Sequence, residues 1–197
     1  ILPFPNNPTG GVMNDESLAG IAKIACEHDL LVISDEIYAE LVYEGGHTSI
    51  ASLPGMRGRT VVINGLSKAF AMTGWRVGFV CAPGELSYQM NKIHQYTIMC
   101  APRQGQVAAA EALRRGREND YQDVLTMRVS YDRRRRLMLD AFRKMGLSCF
   151  TPRGAFYCFP SIARTGLSSE EFCLRLLNDK RVVCVPGTAF GESGEGH

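Results

Sequence analysis

Three short runs that are apolar at consecutive positions constrain this chain most. They are Leu30 to Ser34, Thr60 to Asn64 and Val77 to Ala82. A strand that alternates apolar and polar residues has one wet face, whereas an uninterrupted run needs cover on both, as in an open sheet with helices on either side. The segment before the first run supplies such a helix. Asn14 is placed as its N-cap, and Leu18, Ile21, Ala22 and Ala25 recur at helical spacing. The pattern predicts an α/β fold with a mostly parallel sheet. With 197 residues and 45% apolar content, the chain can bury a sizeable core.

After Pro83 the pattern turns helical and stays so to about Met145, with breaks expected near Ala101-Pro102 and near Gly116. This stretch bridges to a second, α+β lobe. Its expected strands are Leu147 to Phe150, Ala155 to Phe159 and Val182 to Val185, and its helix starts at Ser168 with Glu171 in the capping-box position. The expected division is residues 1–112, part of a larger domain with the bridging helix, and residues 113–197, an incomplete small domain. The chain opens on Ile1-Leu2-Pro3 without methionine and stops in a loop-like stretch, so it reads as a piece of a longer protein.

Charge and cysteine usage exclude several function classes. A net charge of +2 gives no global attraction to nucleic acid or anionic membrane. No apolar run approaches the roughly 18 residues of a spanning helix and no leader pattern is present, so the expectation is a soluble, cytoplasmic protein without membrane partners. The run Arg133-Arg134-Arg135-Arg136 invites a nucleic-acid reading. Four successive residues at about 100° each sweep roughly 300° of a helix, so they form no single basic face. With Asp132 four before Arg136, and Asp123 and Asp140 nearby, the run reads as solvated helix surface. Seven scattered cysteines without a C-x-x-C spacing read as reduced packing residues. The four histidines, His28, His47, His94 and His197, have no ligand spacing, so no metal site is expected.

The chemistry gathers where ligands gather in such sheets, at the carboxyl ends of the strands. Asp35 and Tyr38 follow the first strand, Lys68 follows the second, Arg76 lies eight residues further on, and Asn7 sits in a Pro-rich and Gly-rich loop. A lysine just past a buried strand can form a Schiff base with an aldehyde, and an arginine nearby can hold a phosphate. Those are the two handles of pyridoxal 5′-phosphate. An aspartate beside the pyridine nitrogen keeps it protonated, because an opposite charge favours the cationic form and a protonated ring is the better electron sink. A tyrosine hydroxyl and an asparagine amide can both donate to the ring oxygen.

Five motifs occur in order: Asn6-Asn7-Pro8-Thr9-Gly10, Asp35-Glu36-Ile37-Tyr38, Ser67-Lys68 with Gly74-Trp75-Arg76-Val77-Gly78, Gly154-Ala155-Phe156-Tyr157, and Val185 to Gly191. Together they resemble the class I and II aminotransferases of the pyridoxal-phosphate superfamily with the aspartate aminotransferase fold. The resemblance covers almost the whole chain. It implies that Lys68 forms the Schiff base with the cofactor and shuttles the substrate α-proton. Asp35 would pair with the pyridinium, Tyr38 and Asn7 would bind the ring oxygen, and Arg76, with Ser67 in part, would bind the phosphate. The implied reaction is transfer of an amino group from an amino acid to a 2-oxo acid, in a protein that pairs as a homodimer.

Three departures qualify that expectation. Many family members carry a phosphate-binding hydroxyl three residues before the lysine, where this chain has Gly65. The family's glycine-rich phosphate turn and aromatic ring stacker would lie upstream of residue 1, and its carboxylate-clamping arginine beyond residue 197. The isolated piece is therefore expected to be poorly active. Two other readings keep the fold: a pyridoxal-phosphate C–S β-lyase, and the aminotransferase-like sensing domain of a transcriptional regulator.

Overall fold

Helix α1 (Asp15–Glu27) begins where the Asn14 side chain accepts the Ser17 amide at 2.8 Å, as its sequence predicts. Such a cap contributes about 1 kcal/mol. Leu18, Ala22 and Ala25 on one face of α1 are buried against Val32 of strand β1 (Val32–Asp35), and Ile50 and Met56 close the cluster. This is the larger of two buried apolar clusters in the computed structural model, which describes residues 1–197.

Strand β2 (Thr60–Gly65) lies beside β1 in parallel, with Val32 opposite Thr60 and Asp35 opposite Ile63. The parallel expectation holds for this pair and fails for the third strand. β3 (Gly78–Cys81) runs antiparallel to β2, with Val62 opposite Cys81 and Gly65 opposite Gly78. A parallel return needs a crossover that carries the chain back along the sheet face. Here the link holds only the four-residue helix α2 (Leu66–Ala69) and one 3-10 turn, Thr73–Trp75, so the chain reverses close to where β2 ends. At that corner a Cβ on Gly65 would sit 2.9 Å from the Gly78 Cα and 3.0 Å from the Val77 oxygen. Only glycine permits that approach. All four residues of β3 are exposed, so the sheet is covered at β1 and β2 and not, as the apolar run suggested, throughout.

The helical stretch resolves into α3 (Gly84–Thr97), α4 (Arg103–Glu118) and α5 (Gln122–Met145). The break at Ala101-Pro102 falls as expected. The one placed at Gly116 does not: Gly116 stays inside α4, where a Cβ would meet the Tyr121 ring at 2.6 Å, and the chain turns instead at Asp120 and Tyr121. Helix α6 (Ser169–Lys180) starts where Ser168 accepts the Glu171 amide at 3.2 Å. The Glu171 carboxylate turns outward to Arg175 rather than closing the capping box.

The three strands expected in the second lobe do not form. Residues 147–150 make one isolated bridge, Cys149 with Pro160, residues 155–159 make none although Gly154 beside them bridges Val42, and residues 182–185 are exposed without a ladder. A strand is defined by its partner, and no long partner lies alongside these runs. The basic run also departs from expectation at one position. Arg133, Arg134 and Arg136 are exposed, but Arg135 is buried, donating to the Pro152 oxygen at 2.8 Å, to Glu44 at 3.0 Å and to Asp132.

That guanidinium joins α5 to two loops. Arg135→Ala is expected to destabilise the protein by roughly 2–4 kcal/mol, because a buried carbonyl and two carboxylates lose one shared donor. Arg135→Lys should recover less than half, since an ammonium's three donors sit on one nitrogen and cannot reach acceptors that the guanidinium meets with three. Urea unfolding measures both, and an alanine variant within about 0.5 kcal/mol of the parent would refute the assignment.

Candidate active site

The parallel pairing of β1 and β2 sends both strands out at one edge, and the candidate residues lie there. Asp35 ends β1, half-buried, and its Oδ1 accepts the Ile37 amide at 3.2 Å. It has no basic partner. That turn delivers Tyr38 into the second apolar cluster with Leu41 and Ala155. The Tyr38 and Tyr157 hydroxyls are 2.7 Å apart. Burial, and after it the bond with Tyr157, hold the Tyr38 phenol well above its ordinary value, so it stays protonated and able to donate.

Lys68 sits in α2, just past β2, with Nζ 5.7 Å from the Tyr38 ring centroid and 5.8 Å from that of Phe156. It makes no ion pair. Ser67 beside it is half-buried. Arg76 follows the 3-10 turn in a left-handed conformation, φ 52°, and donates to the Thr73 oxygen at 2.9 Å, leaving the rest of an exposed guanidinium free. Asn7 is exposed at the tip of its loop, and neighbouring Asn6 holds the turn by accepting the Thr9 amide and hydroxyl. The structure thus brings Lys68 and Tyr38 into one cluster with Asp35 at the same strand edge. Asn7, Ser67 and Arg76 lie on the adjoining loops and on α2, without a hydrogen bond to the cluster's hydroxyls.

A model of the aminotransferase class I and II family matches residues 1–197. The chain belongs to that family. It is 55% identical, along its whole length, to a putative aminotransferase, YugH, of Bacillus subtilis, and 49% identical to an aspartate aminotransferase of Pyrococcus abyssi. It covers 50% of each of these curated relatives. Among solved structures, an aromatic aminotransferase from Pyrococcus horikoshii superposes with a TM-score of 0.93 at 48% identity, over 99% of this chain and 52% of that one. A Thermus thermophilus aspartate aminotransferase with maleate gives 0.92 at 38% identity, over 100% and 50%. The fold is therefore that of the aspartate aminotransferases, present in part. Aminotransferases of this class generally depend on pyridoxal phosphate and act on amino acids and 2-oxo acids.

The observed groups suit that cofactor. A half-buried carboxylate without a cation suits a protonated ring nitrogen, an unpaired lysine suits an aldehyde, and an exposed arginine with free donors suits a phosphate.

Several residues bordering the candidate site were given no separate role by the sequence. Phe156 stacks on Tyr131, with centroids 5.3 Å apart, and meets Tyr38 edge-on at 5.4 Å. Tyr157 was visible only as a letter in a motif. Behind β1, the buried Glu36 accepts from Ser34 at 2.9 Å and Ser49 at 2.7 Å. His47 Nε2 approaches its other oxygen at 2.9 Å, close enough for an ion pair but off the line of a straight hydrogen bond. Burial by itself would raise the Glu36 carboxyl. The close approach and charge of His47, with the hydrogen bonds from Ser49 and Ser34, outweigh it and leave the group below its ordinary value.

A lowered carboxyl means folding favours the ionised form, so its contribution is complete above the ordinary value of 4.5 and is lost as pH falls below it. Glu36→Gln should therefore cost about 1–2 kcal/mol near neutrality, and the gap from the parent should narrow as pH falls below 4.5. Urea midpoints across that range check it. A gap independent of pH would show that the carboxylate charge is not what those donors recognise.

Proposed function

We propose that the protein carrying this chain is a pyridoxal-phosphate-dependent amino-acid aminotransferase, working as a homodimer. The observation that supports it best is the shared strand edge that places Asp35 and Lys68 around Tyr38. The proposed division is a large cofactor domain ending near residue 112 and a small domain from 113. Helix α4 spans that point as the bridge.

Bound pyridoxal phosphate supplies an aldehyde that captures amines and a ring that draws electrons from the substrate Cα. Each residue then has a limited task. Lys68 would hold the cofactor through its Nζ, and its amine, once free, would be the base that carries the substrate Cα proton. Asp35 keeps the ring nitrogen protonated. Tyr38 and Asn7 would donate to the ring oxygen, and the Tyr157 hydroxyl fixes the orientation of the Tyr38 hydroxyl. Arg76 and Ser67 bind the phosphate. Phe156 flanks the lysine amine with its ring, and Tyr131 stacks on Phe156 and sets its orientation. The same groups would serve the amino acid and the 2-oxo acid in turn.

Borohydride reduction of the full-length protein with cofactor, followed by peptide mapping, should fix the label on Lys68. Lys68→Ala should lose both the label and the visible cofactor band, and Asp35→Asn should lower turnover roughly 10²–10⁴-fold while the label persists. A label on Lys92 or elsewhere would remove the central residue. Ammonia and thiol release, in place of amino-group transfer, would overturn the reaction.

A further inference from the structure

The sequence places Cys173 and Cys184 in unrelated patterns, one on α6 and one on the segment after it, yet the fold brings their sulfurs to 3.3 Å across a separation of 11 residues. A disulfide has an S–S length of about 2.05 Å, so closure needs a further approach of about 1.3 Å, within reach of side-chain rotation. The left-handed turn at Arg181 makes this possible: it ends α6 by giving its amide to the Leu177 oxygen and folds residues 182–185 back along the helix. Cys184 is exposed and Cys173 is half-buried, so one sulfur is open to reagents and the other stands behind it.

We propose that Cys173 and Cys184 form a reversible disulfide site whose oxidising partner is a low-molecular-weight disulfide of the glutathione class. The Cys184 thiolate attacks a sulfur of the small disulfide, forming a mixed disulfide and releasing one small thiolate. Cys173 then loses its proton and attacks the Cys184 sulfur, which closes the protein disulfide and expels the second small thiol. Two protein thiols are oxidised and one small disulfide is reduced to two thiols. Burial, and next the contact with Cys184, push the Cys173 thiol up to about 11, so the second step is the slower one and quickens as pH rises. The product closes the loop between 173 and 184 and fixes the approach to the 3-10 turn Gly187–Phe190.

The remaining cysteines supply the controls. Cys26, Cys81 and Cys100 are exposed, and Cys149 and Cys158 form a second, more buried neighbour pair whose thiols burial also pushes up. Trypsin separates the candidates, because it releases Cys173 in residues 165–175 and Cys184 in the peptide that begins at 182. The reduced full-length protein, treated with glutathione disulfide and then alkylated, should give those two peptides joined, with a mass loss of two hydrogens. Reductant should separate them. In Cys173→Ser the peptide beginning at 182 should instead keep one glutathionyl group, and closure in the parent should speed with pH. The proposal fails if the parent, like Cys173→Ser, still holds the mixed disulfide when the reaction has run to its end at raised pH. It fails equally if the joined peptides are 145–153 and 154–164, or if Cys184 takes up no reagent.

Discussion

The pairing of Asp35 with Ile63 is the contact on which the rest of the site depends. Parallel strands leave a sheet on the same side, so the turn that carries Asp35 and Tyr38 and the helix that carries Lys68 emerge together. The Glu36 amide donates to the Ile63 oxygen at 2.8 Å, which extends the ladder one step beyond β1 and holds the carboxylate in place. Successive side chains of a strand face opposite sides, so a slip of one residue would exchange Asp35 for Glu36 at the site. The core prevents it: Val32 and Ser34 would turn outward, and the cluster under α1 would lose its sheet partner.

A second set of contacts fixes the aromatic wall. The Gly10 oxygen accepts the Arg153 and Gly154 amides at 2.9 and 3.0 Å, and a Cβ on Gly10 would sit 2.2 Å from that of Pro152. Gly10 also has φ +69°, so the turn of the Asn-Pro loop admits little else. On the other side Tyr43 donates its hydroxyl to the Ala155 oxygen and Arg135 holds Pro152. Phe156 and Tyr157 therefore stand where two loops and one buried arginine meet. The loop that carries Asn7 helps to build the wall as well as presenting an amide.

What was legible in the sequence follows the range of the forces involved. The Asn14 cap, the Ser168 cap and the apolar runs depend on residues within a few positions of one another, and each stands close to where its pattern put it. Other features turn on distant partners. Arg135 finds its acceptors 17 and 91 residues away, and Tyr157 meets Tyr38 across 119 residues, so neither carries a local signature. An arginine run looks uniformly wet until a carbonyl is placed beneath one member of it. The direction of β3 depended on how soon the chain turned, which a run of apolar letters does not encode. For residues 147–150, 155–159 and 182–185 the propensity is real, but a ladder also needs a neighbour, and the chain spans about half the length of the relatives it matches.

The adjacent carboxylates of Asp35-Glu36 show how one strand end separates structure from chemistry. Glu36 faces inward with Ser34, and two hydroxyls and an imidazole surround it, so its charge is satisfied within the fold. Asp35 faces the other way with one amide on one oxygen. A half-buried carboxylate left so lightly bonded gives up solvation without full return, and a cationic ring would restore it. Had both residues shared a face, the two charges would have opposed each other and the donors around Glu36 would have been divided between them. The strand's alternation keeps them apart, and it does so with no residue beyond the two themselves.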